Sequence, residues 1–316
     1  MRRVLLFCLA LLMFMPWARA LDLGEEEDVI EGLEDLLIHP PVSAMRWEPI
    51  PWDLTKSPNK PNQDCYLPDN GGYHDDSIDI RVETFRSHDT TVMAVYVKLS
   101  DISQFRTELA SRYPSKQARI VATMTKRVDA VMGINGDYFI YHDQGIVIRN
   151  GKTLRVKPNK NRDTLIVDEE GDLHILQHTT KEAWEDYLAS GGTALHTFCF
   201  GPGLVVNGEV LSDLDTVHLD LGKGKDTQRI AIGQTGHLEY LILATEGPEN
   251  KGSVGLDLLE MAQLCKDMGL ENAYNLDGGS SSTVSLNNKK INSVSSGKIR
   301  EVGDCIWFAT LVPTEK

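Results

Sequence analysis

The chain has 316 residues, of which 41% are apolar and 25% are charged, a composition that excludes a disordered chain, a collagen and a small disulfide-rich scaffold. Its formal net charge is −14, from 32 basic and 46 acidic residues. This balance excludes a general nucleic-acid binder, because the chain has no basic surplus to displace counterions from phosphates.

The first 20 residues predict a Sec-type export signal that is cleaved near Ala20. Two arginines open the segment, the apolar run from Val4 to Met15 follows, and Ala18-Arg19-Ala20 fits the small-x-small cleavage pattern. A spanning helix needs about 20 apolar residues, so this run is too short for one. We therefore expect a secreted or extracytoplasmic mature protein, with an uncleaved anchor as the alternative.

Residues 21–74 form a distinct leading segment. Residues 21–37 carry eight acids and no base, and apolar residues recur at helical spacing, which predicts a short amphipathic helix that packs on the body or on an unidentified partner protein. Residues 40–68 hold seven of the 13 prolines, as expected of an extended linker or a wrapping arm.

A single domain is predicted over residues 75–316. Strands are expected at 78–82 and 92–99, and helices over 116–130, 180–189 and 256–268. Turn residues predict hairpins at Asn150-Gly151, Glu170-Gly171, Asn207-Gly208 and Thr235-Gly236. Because hairpins outnumber crossover units, the sequence favours an α+β fold with a largely antiparallel mixed sheet and flanking helices.

Four cysteines remain after cleavage, and none of them forms a CxxC pair, which argues against a zinc ribbon. They are Cys65, Cys199, Cys265 and Cys305. Two disulfides and four buried free thiols are both compatible with the sequence. His74-Asp75-Asp76 and His142-Asp143 contain cation ligands, but neither has the spacing of a calcium loop or a zinc helix. No metal site is assigned.

One candidate site motif runs from Asn275 to Thr283, with the sequence Asn-Leu-Asp-Gly-Gly-Ser-Ser-Ser-Thr. Adjacent glycines let backbone N–H groups approach a ligand, and successive N–H groups form a concavity that binds anions. Asp277 lies at the edge, where a carboxylate acts as base, nucleophile or metal ligand. An ordinary Asp-Gly-Gly turn is the alternative.

A second candidate motif is Gly133-Ile134-Asn135-Gly136-Asp137-Tyr138-Phe139. Its polar centre lies between apolar segments. It is either a hairpin turn or a strand end that holds a sugar through hydrogen bonds and contact with an aromatic ring.

These motifs and their surroundings resemble the phosphodiester glycosidase family over roughly residues 90–312. The family's Asn-Gly-Gly-Phe-Phe-like segment is matched at 135–139, its Gly-Pro-x-Leu-Val-x-Asn-Gly hairpin at 201–208, its Arg-x-Ala-Ile-Gly strand at 229–233, its Asn-Leu-Asp-Gly-Gly-Gly-Ser signature at 275–281 and its late Arg-x-Val at 300–302. The Asp-Gly-Arg loop and the Ser-x-Gly helix start are matched in part, at 246–248 and 253–255. Asp137 replaces the second glycine of the first motif, and Glu246 and Pro248 replace the Asp and Arg of the loop.

The resemblance implies an exported hydrolase that cleaves the C1–O–P bond of a sugar-1-phosphodiester, of N-acetylglucosamine type or in a cell-surface polymer. A phosphate ester leaves readily as an anion, so the site has to supply positive charge and N–H donors. Arg229 is the first candidate for that charge and Arg300 the second. A carboxylate has to assist water or attack C1; Asp277 is the first choice, followed by Glu246 and Asp137.

The remaining predicted substrate contacts come from both motifs. They are Asn135, Gly136, Tyr138, Asn275, Gly278, Gly279, Ser280 and Ser281, in addition to the two arginines. No cofactor is required, although a divalent cation on Asp277 is compatible with the sequence. The expected partners are a sugar-phosphate or glycan and the cell surface, and no nucleic acid.

Two other functions fit the same residues. A metal-assisted phosphodiesterase would cut P–O rather than C–O, and a non-catalytic surface module would bind glycan without turnover.

Overall fold

The structure, a computed structural model, describes residues 58–212, 214, 226–294 and 297–314. The predicted export signal, the acidic helix and the proline-rich arm up to residue 57 lie outside these residues. Among the described residues, no helix has the length and apolar character needed to cross a membrane.

Strands dominate the described part of the chain. They are β1 (Tyr66–Leu67), β2 (Gly72–Asp75), β3 (Ile78–Ser87), β4 (Thr90–Leu99), β5 (Phe105–Leu109), β6 (Met132–Asn135), β7 (Gly145–Arg149), β8 (Lys152–Lys157), β9 (Thr164–Val167), β10 (Leu173–Leu176), β11 (His196–Phe198), β12 (Gly203–Val206), β13 (Glu209–Val210), β14 (Ile230–Gly236), β15 (Glu239–Thr245), β16 (Asn272–Leu276), β17 (Val284–Leu286), β18 (Lys289–Lys290) and β19 (Asp304–Phe308). The helices of these ranges are α1 (Val121–Arg127), α2 (Lys181–Ala189) and α3 (Leu258–Asp267).

The strands form four sheets in which every described strand pairing is antiparallel. A nine-stranded sheet has the order β1-β2-β3-β4-β15-β14-β16-β12-β13, and a five-stranded sheet has the order β18-β17-β6-β19-β5. Smaller sheets are β10-β9-β11 and β7-β8. The predicted α+β class and its antiparallel character are confirmed, with a low helix content.

One hydrophobic core joins the two large sheets and the three-stranded sheet. Ile232 of β14, Ile306 of β19 and Leu165 of β9 belong to the same buried cluster. Strand β19 is buried on both faces, because Trp307, next to Ile306, packs in a second cluster with Met124 of α1. This double burial explains the apolar run in β19, since each fully buried large apolar side chain stabilises the fold by about 1.5–3 kcal/mol.

Most predicted elements are present at their predicted positions. The hairpin at Asn150-Gly151 joins β7 to β8, with left-handed φ values of 48° and 70° at its two turn residues. The hairpins at Glu170-Gly171 and Asn207-Gly208 are also present. Helix α2 is capped by Thr180, whose side chain accepts a hydrogen bond from the Ala183 N–H.

Two predicted boundaries were wrong. The helix expected over 116–130 is only α1, because Arg119 pairs in extended conformation with Val302 and Asp129 takes a left-handed φ of 50°. The turn expected at Thr235-Gly236 lies two residues later, since β14 continues through Gly236 and Leu238 has the positive φ, at 56°.

Two further findings concern the predicted arm and the cysteines. Strands β1 and β2 extend the nine-stranded sheet beside β3, so residues 66–75 are part of the body. The four cysteines of the described residues are free thiols, and of these Cys199, Cys265 and Cys305 are buried.

Candidate functional site

The two sequence motifs meet at the ends of strands from different sheets. Strand β6 ends at Asn135, and strand β16 ends at Leu276, just before Asp277. The Asn135 Nδ2 donates to the Asp277 carbonyl oxygen at 2.8 Å, and its Oδ1 accepts from the Thr283 N–H at 2.9 Å. Asn135 is fully buried. Its amide therefore joins the two motifs into one site.

Asp277 is the central carboxylate of this site. It is only 5% exposed. Burial raises its pKa to about 6, and the neighbouring Asp137 adds to the rise, while the Ser281 hydroxyl and the Arg300 guanidinium act in the opposite direction. A carboxyl with this pKa exchanges protons near neutral pH, as a general base or acid must.

The exposed Arg300 and the half-buried Tyr138 form the rim beside Asp277. The guanidinium carbon of Arg300 lies 5.9 Å from the centre of the Tyr138 ring, and its Nη1 lies 3.4 Å from the Ser281 Oγ. Tyr138 stacks on Tyr141, with 4.4 Å between the ring centres. Arg300 is exposed, so a ligand at Asp277 meets both a cation and an aromatic surface.

The predicted anion cradle is in part already occupied by internal hydrogen bonds. The Gly279 N–H donates to the Gln228 carbonyl at 2.7 Å, and the Ser281 N–H donates to the Gly278 carbonyl at 3.1 Å. Residues 279–281 form a short 3-10 turn. These two N–H groups fix the loop and are not directed at a ligand. Gly278, Gly279 and Ser280 are half-buried at the surface of this loop.

A buried ion cluster supports the other motif. The Asp137 N–H donates to the Asp304 Oδ1 at 2.8 Å, and the Arg149 Nε donates to the Asp304 Oδ2 at 2.6 Å. The Arg149 Nη2 lies 3.7 Å from the Asp137 Oδ2. Gly136 is required here because a Cβ at this position would lie 2.5 Å from the Asp304 Oδ1. This packing gives Gly136 a structural role, and its predicted contact with substrate stays a prediction.

Sequence reasoning missed Arg149 and Asp304. Both are charged residues at the ends of otherwise apolar strands, β7 and β19. That contrast was the available signal, because a charge in a strand buried on both sides needs a partner. Burial raises the pKa of Asp304 to about 6, and Asp137 adds to the rise, while Arg149 acts against it.

Arg229 and Glu246 contact groups outside the two motifs. The Arg229 Nε donates to the Leu256 carbonyl at 2.8 Å, and burial lowers its pKa to about 10 in spite of Asp257 and two other nearby acids. Burial also disfavours the charged form of Glu246, but hydrogen bonds from Ser253 and from a second serine outweigh it, so that its pKa is lowered. The predicted roles of both residues stay predictions.

Asn275 links the signature motif to the hairpin motif. Its Nδ2 donates to the Gly201 carbonyl at 2.8 Å, and its N–H donates to the Pro202 carbonyl at 3.0 Å. Its Oδ1 is buried and has no hydrogen-bond partner among the described residues. The Asn275 amide therefore orders the strand that leads into Asp277.

A groove of about 630 Å³ opens beside the second motif. Tyr113, Lys116, Tyr141, His142 and Lys157 are among its lining residues. Aromatic rings beside lysines suit a sugar that carries negative charge, since rings stack on sugars and ammonium groups bind anions. The groove continues the rim from Tyr138 through the Tyr141 ring that stacks on it.

Two groups of side chains in the described residues have the composition of a metal site. The first group consists of Asp137, His142 and Cys199. The second group lies near Arg229 and consists of Asp226, Asp257 and Glu260. The acidic group surrounds a guanidinium, which already supplies it with positive charge.

Comparison with known proteins identifies relatives. The family model described as phosphodiester glycosidase matches residues 129–309. The SPbeta prophage-derived protein YomE of Bacillus subtilis strain 168 is 27% identical over 205 residues, which are 63% of this chain and 31% of YomE. The chain therefore spans about a third of the length of that curated relative.

Two solved structures share the fold. The catalytic domain of zebrafish N-acetylglucosamine-1-phosphodiester alpha-N-acetylglucosaminidase, auto-inhibited by its pro-peptide, superposes with a TM-score of 0.60 at 16% identity over 85% of this chain and 98% of that one. A hypothetical protein from Synechocystis superposes with a TM-score of 0.51 at 15% identity over 73% of this chain and 62% of that one. Because the family model covers more than half of the sequence, the chain belongs to the phosphodiester glycosidase family.

Proposed function

We propose that the protein hydrolyses the C1–O bond of a sugar-1-phosphodiester outside the cytoplasm. The observation that carries this proposal is the buried Asp277 carboxyl, with its pKa raised to about 6, at the junction of the two family motifs and beside the exposed Arg300 guanidinium. Family membership supports hydrolysis of glycosyl phosphodiesters as the reaction class.

In this proposal, Asp277 acts in its ionised form. A phosphate ester is a good leaving group, so the carboxylate assists water or attacks C1 rather than protonating the bridging oxygen. Arg300 binds the departing phosphate, because its guanidinium is solvent-exposed next to Asp277. Tyr138 offers a ring for the sugar to stack on.

Asp137 has a supporting role in this mechanism. Its carboxylate accepts hydrogen bonds from the Tyr138 N–H at 2.7 Å and the Cys199 N–H at 2.8 Å, and it is 2% exposed. These two bonds hold the Asp137 carboxylate in place. Its charge helps to keep the pKa of Asp277 high.

For the substrate we propose a sugar of the N-acetylglucosamine type, or a sugar-phosphate link of a cell-surface polymer. The zebrafish protein that shares the fold is named as an N-acetylglucosamine-1-phosphodiester alpha-N-acetylglucosaminidase. The export-signal pattern of residues 1–20 supports action on extracytoplasmic material. The acidic segment of residues 21–37, predicted to be helical, is proposed to bind an unidentified partner protein.

The decisive experiment is hydrolysis of sugar-1-phosphodiesters in oxygen-18 water, with the full chain and with the Asp277→Asn variant. We expect the label in the sugar and a large loss of turnover in the variant. Label in the phosphate would show a phosphodiesterase that cuts P–O. Saturable binding of the substrates without turnover would show a glycan-binding module.

A further inference from the structure

Asp137 of the second motif comes together with His142 and Cys199. Asp137 follows β6, His142 lies seven residues after Asn135, and Cys199 directly follows β11. One carboxylate oxygen, one ring nitrogen and the thiol sulfur all lie within 4.8 Å of one another. The cluster therefore joins two chain segments that are far apart in sequence.

Cys199 and Asp137 are already at the spacing of two ligands to one ion. The Cys199 Sγ lies 3.2 Å from the Asp137 Oδ2. In a tetrahedral site with bonds of about 2.0–2.3 Å, two ligand atoms are separated by roughly 3.5 Å. The imidazole nitrogen lies within 4.8 Å of both other atoms, so a small movement of the ring toward them would complete such a site.

The imidazole of His142 has unsatisfied bonding capacity. Both ring nitrogens are buried, and neither makes a hydrogen bond of normal geometry among the described residues. Leaving a buried polar group without a partner costs about 1–3 kcal/mol, so such a group in a folded protein calls for an explanation. A metal ion beside the ring supplies the missing partner.

Gly145 keeps the space around the thiol open. It has a left-handed φ of 93°, and a Cβ at this position would lie 2.3 Å from the Cys199 Sγ and 4.0 Å from the His142 Cε1. Any larger residue would fill the region that the ion needs. His142 also lines the 630 Å³ groove, so one of the three side chains borders open space.

The donor chemistry of the cluster indicates which ion it suits. A group of one thiolate, one imidazole and one carboxylate suits zinc, whereas calcium and magnesium prefer oxygen ligands alone.

We propose that Asp137, His142 and Cys199 bind one zinc-class divalent cation as three protein ligands, with a fourth position left for water or substrate. On binding, the Cys199 thiol gives its proton to solvent and its sulfur bonds to the metal. The proposal does not depend on the reaction proposed above, because the site is defined by its ligands.

The test is metal binding by the full chain, after treatment with a chelator, with zinc and with cobalt as a spectroscopic probe. We expect one zinc per chain and a thiolate-to-cobalt charge-transfer absorption. His142→Ala and Cys199→Ala should each lose the tightly bound zinc and the absorption. Cys265→Ala is the matched control, since Cys265 is equally buried in α3, and it should keep both.

Three results would overturn the proposal. They are the absence of tight zinc binding in the wild-type chain, retention of zinc in both ligand variants, and cobalt binding without a thiolate absorption. His142→Ala guards against misfolding, because the half-buried ring makes no described hydrogen bond that the fold would lose. Binding is read without turnover, so an inactive but zinc-loaded chain would contradict only the proposed reaction.

Discussion

The side-chain amide of Asn135 donates to the backbone carbonyl of Asp277 across 142 positions of sequence, and so fixes the end of a strand in the five-stranded sheet to the end of a strand in the nine-stranded sheet. The amide is fully buried and its oxygen is also bonded. Asn135 therefore positions Asp277 through the backbone carbonyl of that residue.

Replacing Asn135 by Ala should both destabilise the protein and lower turnover. The substitution leaves the Asp277 carbonyl and the Thr283 N–H without their partner, and two such groups cost about 2–6 kcal/mol. Urea unfolding and steady-state kinetics measure the two effects. Asn161→Ala, at an exposed asparagine, is the control and should change neither. Wild-type stability in Asn135→Ala would contradict this role.

Turnover should rise with pH through about 6 if Asp277 acts as a carboxylate. Burial raises its pKa to about 6, so the ionised, active fraction increases above that value. Asp277→Asn cannot ionise and should lose activity at every pH. The measurement is kcat between pH 4 and 8 on a sugar-1-phosphodiester. A variant with wild-type turnover would remove Asp277 from the mechanism.

The same variant should be more stable than wild type at neutral pH. The folded state holds the Asp277 proton more tightly than the unfolded chain does, so stability falls as pH rises from about 4 to about 6 and stays low above that. A pKa rise from 3.8 to about 6 corresponds to about 3 kcal/mol. Urea unfolding at pH 4 and pH 7.5 should show the gain of Asp277→Asn only at the higher pH.

The exposed Asp186 provides the control for that comparison. Asp186→Asn should shift stability by the same small amount at both values of pH. An equal gain from Asp277→Asn at pH 4 and pH 7.5 would show that charge burial is not its cause.

Arg300→Ala should raise KM by roughly tenfold, as expected from the loss of one charge-assisted contact with phosphate. Arg300 also lowers the pKa of Asp277, so its removal should move the rising limb of the kcat profile to higher pH. Lys298→Ala, at an exposed lysine two residues earlier, should leave both the limb and KM unchanged. If the rising part of the kcat profile stays at the same pH in Arg300→Ala, Arg300 does not influence the pKa of Asp277.

Gly136→Ala should destabilise the protein by about 1–3 kcal/mol. The new methyl group would lie 2.5 Å from the Asp304 Oδ1, and the carboxylate cannot move away because Arg149 and the Asp137 N–H hold it. Gly236→Ala is the matched control, since its nearest contact would be an ordinary 3.4 Å. Thermal unfolding of the two variants measures the difference, and equal melting temperatures would contradict the close packing.

Local sequence rules located most of the fold. The hairpins at Asn150-Gly151 and Asn207-Gly208 follow from residues that accept left-handed φ, and α3 lies within the helix predicted over 256–268 from the spacing of its apolar residues. Helix α1 was shorter than predicted because Arg119 pairs with Val302, a contact between residues 183 positions apart that no local pattern contains.

By itself the sequence determined the antiparallel α+β class, the two motifs and Asp277 as the first candidate carboxylate, since these depend on neighbouring residues along the chain. Only the tertiary structure decided which charges meet. It placed Arg300 beside Asp277, directed Arg229 to the Leu256 carbonyl, and paired Arg149 with Asp304. The interaction of a charge depends on distance and burial, and both are set where strands of different sheets come together.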